Sequence, residues 1–196
     1  SRPNLAVKKT LKMQEQETIK SIPSDRLQFF PIMMFAIIMG LAGLSLVYKR
    51  INEVLSFPSF IATFMAILTT TLFFVILFFY ILKLIKHKNE VKKEFSHPIR
   101  INFFAASSIS ILILSMIYRH NIDSLAQIFC IVGSCLHIFF TFYTIKFWIN
   151  NNLEMQHSNP AWFIPIVGNL IVPIAGKGFV DDFILYFYFS IGIFFW

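Results

Sequence analysis

The chain has 196 residues, of which 57% are hydrophobic, 25 are Phe and only 14% are charged, against roughly 25% charge in a soluble domain. That composition excludes an ordinary soluble fold, so the net charge of +7 has to be read by position before nucleic acid is considered. No Asp, Glu, Lys or Arg occurs in Leu27–Tyr48, Val54–Leu82, Ile101–Tyr118, Ser124–Ile145, Met155–Gly176 or Phe183–Trp196, and a membrane-spanning helix needs about 20 such residues.

The expected fold is therefore an all-α polytopic membrane protein. Residues 1–26 read as a cytoplasmic N-terminal segment and 27–196 as a transmembrane domain, with helices near 27–48, 57–86, 100–118, 122–149, 159–176 and 182–196. The sixth apolar run stops at Trp196 without a polar cap, so five complete transmembrane helices and a truncated sixth are expected. The N-terminal segment lacks the apolar core and small-residue cleavage site of a signal peptide, which leaves the first span as the insertion signal and Met13 as a candidate natural start. With the N-terminus inside, thirteen of the 17 Lys and Arg residues fall on the cytoplasmic side, the bias of an inner (plasma) membrane protein.

In chain order, the first span, "LQFFPIMMFAIIMGLAGLSLVY", carries Pro31 near its start and Gly40 and Gly43 past its middle. Small residues at that depth let another helix, or a permeating ion, approach the backbone. The second opens with Pro58 in its first turn, where proline is tolerated, and is otherwise Phe-rich and unbroken, as suits a lipid-facing helix. The basic loop Lys83–Arg100 that follows is assigned to topology and to attraction by anionic headgroups. In the third span Ser107 and Ser110 share one helical stripe and Ser108 and Ser115 its neighbour. Such hydroxyls either bond back to their own helix in ordinary packing or line a polar path.

The fourth span is again Phe-rich. Cys130 and Cys135 sit about 140° apart around it and read as small core residues that do not pair. His137, near its middle, is the one central titratable group: a packed residue, or a functional one. The fifth segment, "SNPAWFIPIVGNLIVPIAG", is the unusual one. Pro165 and Pro173 each remove a backbone donor, and Gly168 and Asn169 between them offer bare backbone and an amide. Backbone broken in this way survives in a bilayer only beside protein or water, so the segment is either a broken helix on a water-filled path or a kinked packing helix. Spans one, three and five thus hold the small, polar and breaking residues. Spans two and four are regular. The pattern recurs at roughly 75 residues, a faint sign of repeated two-helix units.

Catalytic motifs are lacking, the histidines are too dispersed for a metal site, and no cofactor is implied. Without a buried carboxylate the spans favour a passive pathway over a proton-driven pump.

These residues resemble a known family. "NPAWFIPIVGNLIVPIAG" is similar to the fifth-helix motif of the TehA and plant slow anion channel family, the tellurite-resistance/dicarboxylate transporters. "HPIRINFFAASSIS" resembles its approach to helix three and "FPIMMFAIIMGLAGLSL" its first helix. The resemblance, which runs from about Arg26 to Trp196 and matches the N-terminal half of the family only, implies a ten-helix, five-hairpin pore with the odd helices inside, assembled as a homotrimer in membrane lipid. It implies passage of small anions, C4-dicarboxylates or tellurite-related species among them, and a gating Phe on a ninth helix. Carried over by position, Gly40, Gly43, Ser107, Ser110, Pro165, Gly168, Asn169 and Pro173 become pore-lining or kink residues. Selection would then rest on partial charges and on basic residues at the mouths. The expected partners are small anions and lipids, with no nucleic acid. Two alternatives stand beside this reading: a multipass membrane enzyme acting on a lipid or isoprenoid substrate, and a non-transporting helical scaffold.

Overall fold

Pro31 sets where the first helix begins. It has no N–H, and its ring disfavours helical backbone at Phe30, so Arg26–Phe29 forms only a 3-10 turn and α1 (Met34–Leu55) starts after the proline. At its far end α1 continues beyond the apolar run, where Arg50 pairs with Glu53 at 2.8 Å. The computed structural model describes residues 26–55, 58–151 and 159–196. The N-terminal segment before residue 26, Met13 and His157 lie outside the described residues.

The second helix, α2 (Ser59–Lys86), follows Pro58 and gives way at His87 to a short helix, α3 (Lys88–Phe95). Were α3 a straight continuation of α2, Glu94 would stand about 16 Å along the axis from Lys83. The two side chains instead meet at 2.9 Å, so α3 folds back across the end of α2. A 3-10 turn, Arg100–Phe103, then leads into α4 (Phe104–Tyr118), followed by α5 (Asp123–Asn150). A second such turn, Pro160–Trp162, leads into α6 (Phe163–Gly176), and α7 (Asp182–Phe195) follows.

Four helical stretches among the described residues are long and apolar enough to cross a membrane: Met34–Leu55, Ser59–Lys86, Arg100–Tyr118 and Asp123–Asn150. Pro160–Gly176 and Asp182–Phe195 are apolar but shorter. This is an integral membrane protein, and the described residues form helices and connections without a named strand.

Burial ranks the helices. In the most apolar 18 residues of the span ending in α4, 78% are buried, against 22% in the corresponding parts of α1 and α2 and 33% in that of α5. Helix α4 is the hub: α1 packs on one side of it, α5 and α6 on others. The contacts form a row α1, α4, α6, with α2, α5 and α7 each laid against the helix of that row that precedes it in sequence. The α1–α2–α4 core is aromatic at its centre, where the Phe35 ring meets Phe73 and Tyr80 edge-on at 6.0 and 5.9 Å. The outer face of α2 exposes Phe60, Phe64, Phe74, Phe78 and Phe79, a surface that only lipid or another apolar chain suits.

Polar groups tie the ends of the bundle. Lys49 Nζ donates to the carbonyls of Ile117 and Arg119 at 2.7 and 2.5 Å, capping the last turn of α4, where carbonyls lack helical partners. Arg119 in turn donates to the Lys177 carbonyl and lies 4.9 Å over the Phe179 ring. Gly178, at φ 87°, makes the turn there that a side chain would strain.

Two sequence expectations change. Lys83, assigned to the headgroup-facing loop, is buried against Glu94 because α3 folds back over it. Cys130 is buried, but Cys135 is exposed: the angle that keeps the thiols apart turns the second one outward.

Candidate functional site

The densest polar cluster within the spans gathers on one backbone carbonyl. Pro165 stands in the first turn of α6, and its oxygen accepts from Asn169 Nδ2 at 2.8 Å, one turn further along the same helix. From α5, Thr141 Oγ1 donates to it at 3.1 Å and His137 Nε2 approaches at 3.1 Å. Asn169 Nδ2 also donates to Thr141 Oγ1 at 3.0 Å, which closes the cluster on itself.

The other ring nitrogen reaches a third helix. His137 Nδ1 lies 2.9 Å from Ser108 Oγ of α4. A carbonyl can only accept, so Nε2 carries hydrogen and, in a neutral imidazole, Nδ1 is the acceptor of the Ser108 hydroxyl. One fully buried imidazole therefore joins α4, α5 and α6. Asn169 Oδ1, also buried, is left without a partner.

Gly168 makes room for this ring. A Cβ added there would lie 2.1 Å from His137 Cε1, 2.4 Å from Nε2 and 2.9 Å from Ile109 Cγ1. No side chain fits while the ring stays where it is. Gly192 on α7 plays a similar part further along, where a Cβ would meet Leu170 Cδ2 at 2.5 Å.

The eight residues singled out by sequence divide into two sets. Ser110, Pro165, Gly168 and Asn169 are buried between helices. Ser110 Oγ donates to its own helix at Ala106 O, 2.8 Å away, and also reaches the Phe35 carbonyl of α1 at 3.3 Å. Gly40 is exposed, and Gly43, Ser107 and Pro173 are half-buried. A Cβ on Gly40 or Gly43 would meet no described atom within 4 Å. Along α1 the exposed stripe runs Met33, Ile37, Gly40, Leu44, Val47, which is helical spacing. The first set packs between the helices; in the second, Gly40 and Gly43 border open space, while Ser107 bonds back to the Phe104 carbonyl of its own helix.

Sequence reasoning flagged His137 and Ser108 separately but missed that they pair, and missed Thr141. The signal was present as two polar pairs one turn apart, His137 with Thr141 and Pro165 with Asn169, each placing both groups on one helix face.

The chain is similar in sequence to known transporters and channels. The chain is 32% identical over 153 residues to an uncharacterized transporter of Methanocaldococcus jannaschii, covering 73% of this chain and 43% of the relative. It is 24% identical over 139 residues to the tellurite resistance protein TehA homolog of Haemophilus influenzae, covering 70% and 42%. It is 31% identical over 116 residues to the S-type anion channel SLAH3 of Arabidopsis thaliana, covering 55% and 18%. The chain spans less than half the length of these relatives. A family match extends over residues 29–196, nearly all that the structure describes, and on that basis the chain belongs to the SLAC1, or voltage-dependent anion channel, family.

Proposed function

We propose that this chain supplies inner helices α1, α4 and α6 to a pathway for small anions, with the open sites at Gly40 and Gly43 toward the path. The observation that carries the proposal is the division of the flagged residues. Small residues pointing at open space leave room for an ion to pass. The buried set, Ser110, Pro165, Gly168 and Asn169, holds the backbone of the inner row in place. Apart from Lys83, which is buried at a membrane-facing end, the described spans bring no fixed charge into their interior, so an anion would meet helix dipoles, hydroxyls and amides. Such contacts hold ions weakly, which suits throughput more than affinity.

The whole protein, on this reading, closes a ring of five hairpins and assembles as a homotrimer. The three consecutive hairpins of the chain and the resemblance to the TehA and slow anion channel family support it. An N-terminus inside the plasma (inner) membrane is supported by the charge bias and by the segregation of Lys49, Arg119 and Lys177 at the end opposite Lys83 and α3. The test is current through the whole protein in a planar bilayer under a chloride gradient. Anion-selective current supports the proposal, and verified trimers that stay silent, even with candidate gating Phe residues replaced, would sink it.

A further inference from the structure

Helix α3 is short, yet its inward face is fixed at several points. Glu94 Oε1 accepts from Lys83 Nζ at 2.9 Å and Glu94 Oε2 from the Tyr80 hydroxyl at 2.8 Å. Lys83 Nζ donates as well to the Phe30 carbonyl, just before α1, at 2.8 Å. The Phe95 ring stacks on Phe104, the first residue of α4, at 3.7 Å and meets Tyr143 of α5 at 5.3 Å. Lys83 and Glu94 are only 1% and 3% exposed, and Val91 is buried beside them. Ties to three helices, α2, α4 and α5, prevent α3 from rolling about its axis, so the direction of its other face is set.

That other face is basic. Lys88 and Lys92 are one turn apart and so share a stripe, with Lys93 beside them and Lys86 and Arg100 flanking; all five are exposed. Glu90 is the acidic residue on this side, and its carboxylate takes a hydrogen bond from Lys93 at 2.6 Å, which holds Glu90 below the usual carboxylate range. The last turns of α2, which lead into α3, expose Ile81, Leu84 and Ile85. Apolar side chains that end where a lysine stripe begins mark the level at which hydrocarbon gives way to headgroups.

We propose that the outer face of α3 is a docking surface for an anionic phospholipid leaflet, with Lys88, Lys92 and Lys93 binding headgroup phosphates. An ammonium is a compact, strongly hydrated charge on a flexible stem, suited to mobile headgroups. Each lysine near an anionic surface adds attraction that salt screens. Because the same helix stacks on α4 and holds, through Glu94, the Lys83 ammonium that bonds the Phe30 carbonyl before α1, lipid bound on its outside stabilises this end of the helices.

The experiment is thermal unfolding of the chain in detergent micelles titrated with phosphatidylglycerol, with phosphatidylcholine and inorganic phosphate as parallel arms. Phosphatidylglycerol is expected to raise the midpoint by several degrees over phosphatidylcholine, with the gain shrinking at high salt and absent with inorganic phosphate. Lys88→Gln/Lys92→Gln/Lys93→Gln should raise the phosphatidylglycerol concentration for half effect roughly a hundredfold while leaving the midpoint in phosphatidylcholine unchanged. Should that variant fail to fold, Lys88→Gln/Lys92→Gln serves with a smaller expected change. Equal shifts from both lipids, an equal shift from inorganic phosphate, or a full phosphatidylglycerol shift in the variants would each overturn the proposal.

Discussion

The His137 ring occupies the space that a side chain at position 168 would need: its Cε1 stands 2.1 Å from where a Cβ on Gly168 would lie. Helices α5 and α6 can therefore approach through a ring on one and a bare backbone on the other. Gly168→Ala must push the ring off Ser108 and the Pro165 carbonyl, or separate the helices. A loss of about 1–3 kcal/mol is expected from such overpacking. His137→Ala in the same chain removes the obstacle, so the two changes should couple strongly in a double-mutant cycle of unfolding in micelles. Additive losses would show that the ring and the glycine do not share this space.

Replacing His137 alone tests a different point. The Pro165 carbonyl keeps Thr141 and Asn169 as donors, and the Ser108 hydroxyl, freed from Nδ1, can turn its one hydrogen to the Ala105 carbonyl 2.8 Å away. Hydrogen bonds between membrane helices are worth about 0.6–2 kcal/mol, so His137→Phe should cost little beyond its misfit in shape. His137→Gln, which can still donate and accept, should recover part of that loss. Equal instability of both variants would mean that the ring acts through its shape and not through its nitrogens.

Lys83 and Glu94 form a buried ion pair. Removing one partner strands the other in a site closed to water, which typically costs about 3–5 kcal/mol. Lys83→Met or Glu94→Gln alone should lower the unfolding midpoint sharply. Lys83→Met/Glu94→Gln together should recover much of the loss, because no buried charge remains. A double variant as unstable as the sum of the singles would contradict a pairing role.

Much of this fold was legible in advance because a bilayer makes simple demands. Stretches free of charge marked the apolar helices, and Pro58 marked the start of α2. The positions of serine, glycine and histidine on particular faces were harder to read. Ser107 and Ser110 share a stripe in the sequence, yet Ser110 is buried against α1 and Ser107 is only half-buried. Which face of α4 meets which neighbour depends on crossing geometry that periodicity does not encode. The return of α3 over Lys83 was missed for a similar reason: a basic loop and a basic helix with a buried Glu94 have the same composition. Gly168 looked like a gap beside a path until His137 was seen to fill it.

Gly40 separates stability from passage. A side chain there meets no described atom within 4 Å, so Gly40→Ala should raise stability by about 0.5–1 kcal/mol through helix propensity alone. Thermal unfolding of the chain in micelles checks this; a clear loss would mean that the glycine packs against a partner.

The most direct test of the proposed anion path is the current carried by Gly40→Phe in the whole protein, recorded in planar bilayers under a chloride gradient beside the unsubstituted protein. The reversal potential should follow chloride, and the phenylalanine should cut the conductance severalfold without lowering the unfolding midpoint. Equal conductance in both proteins, or a reversal potential that follows potassium, would contradict an anion path along the open face of α1.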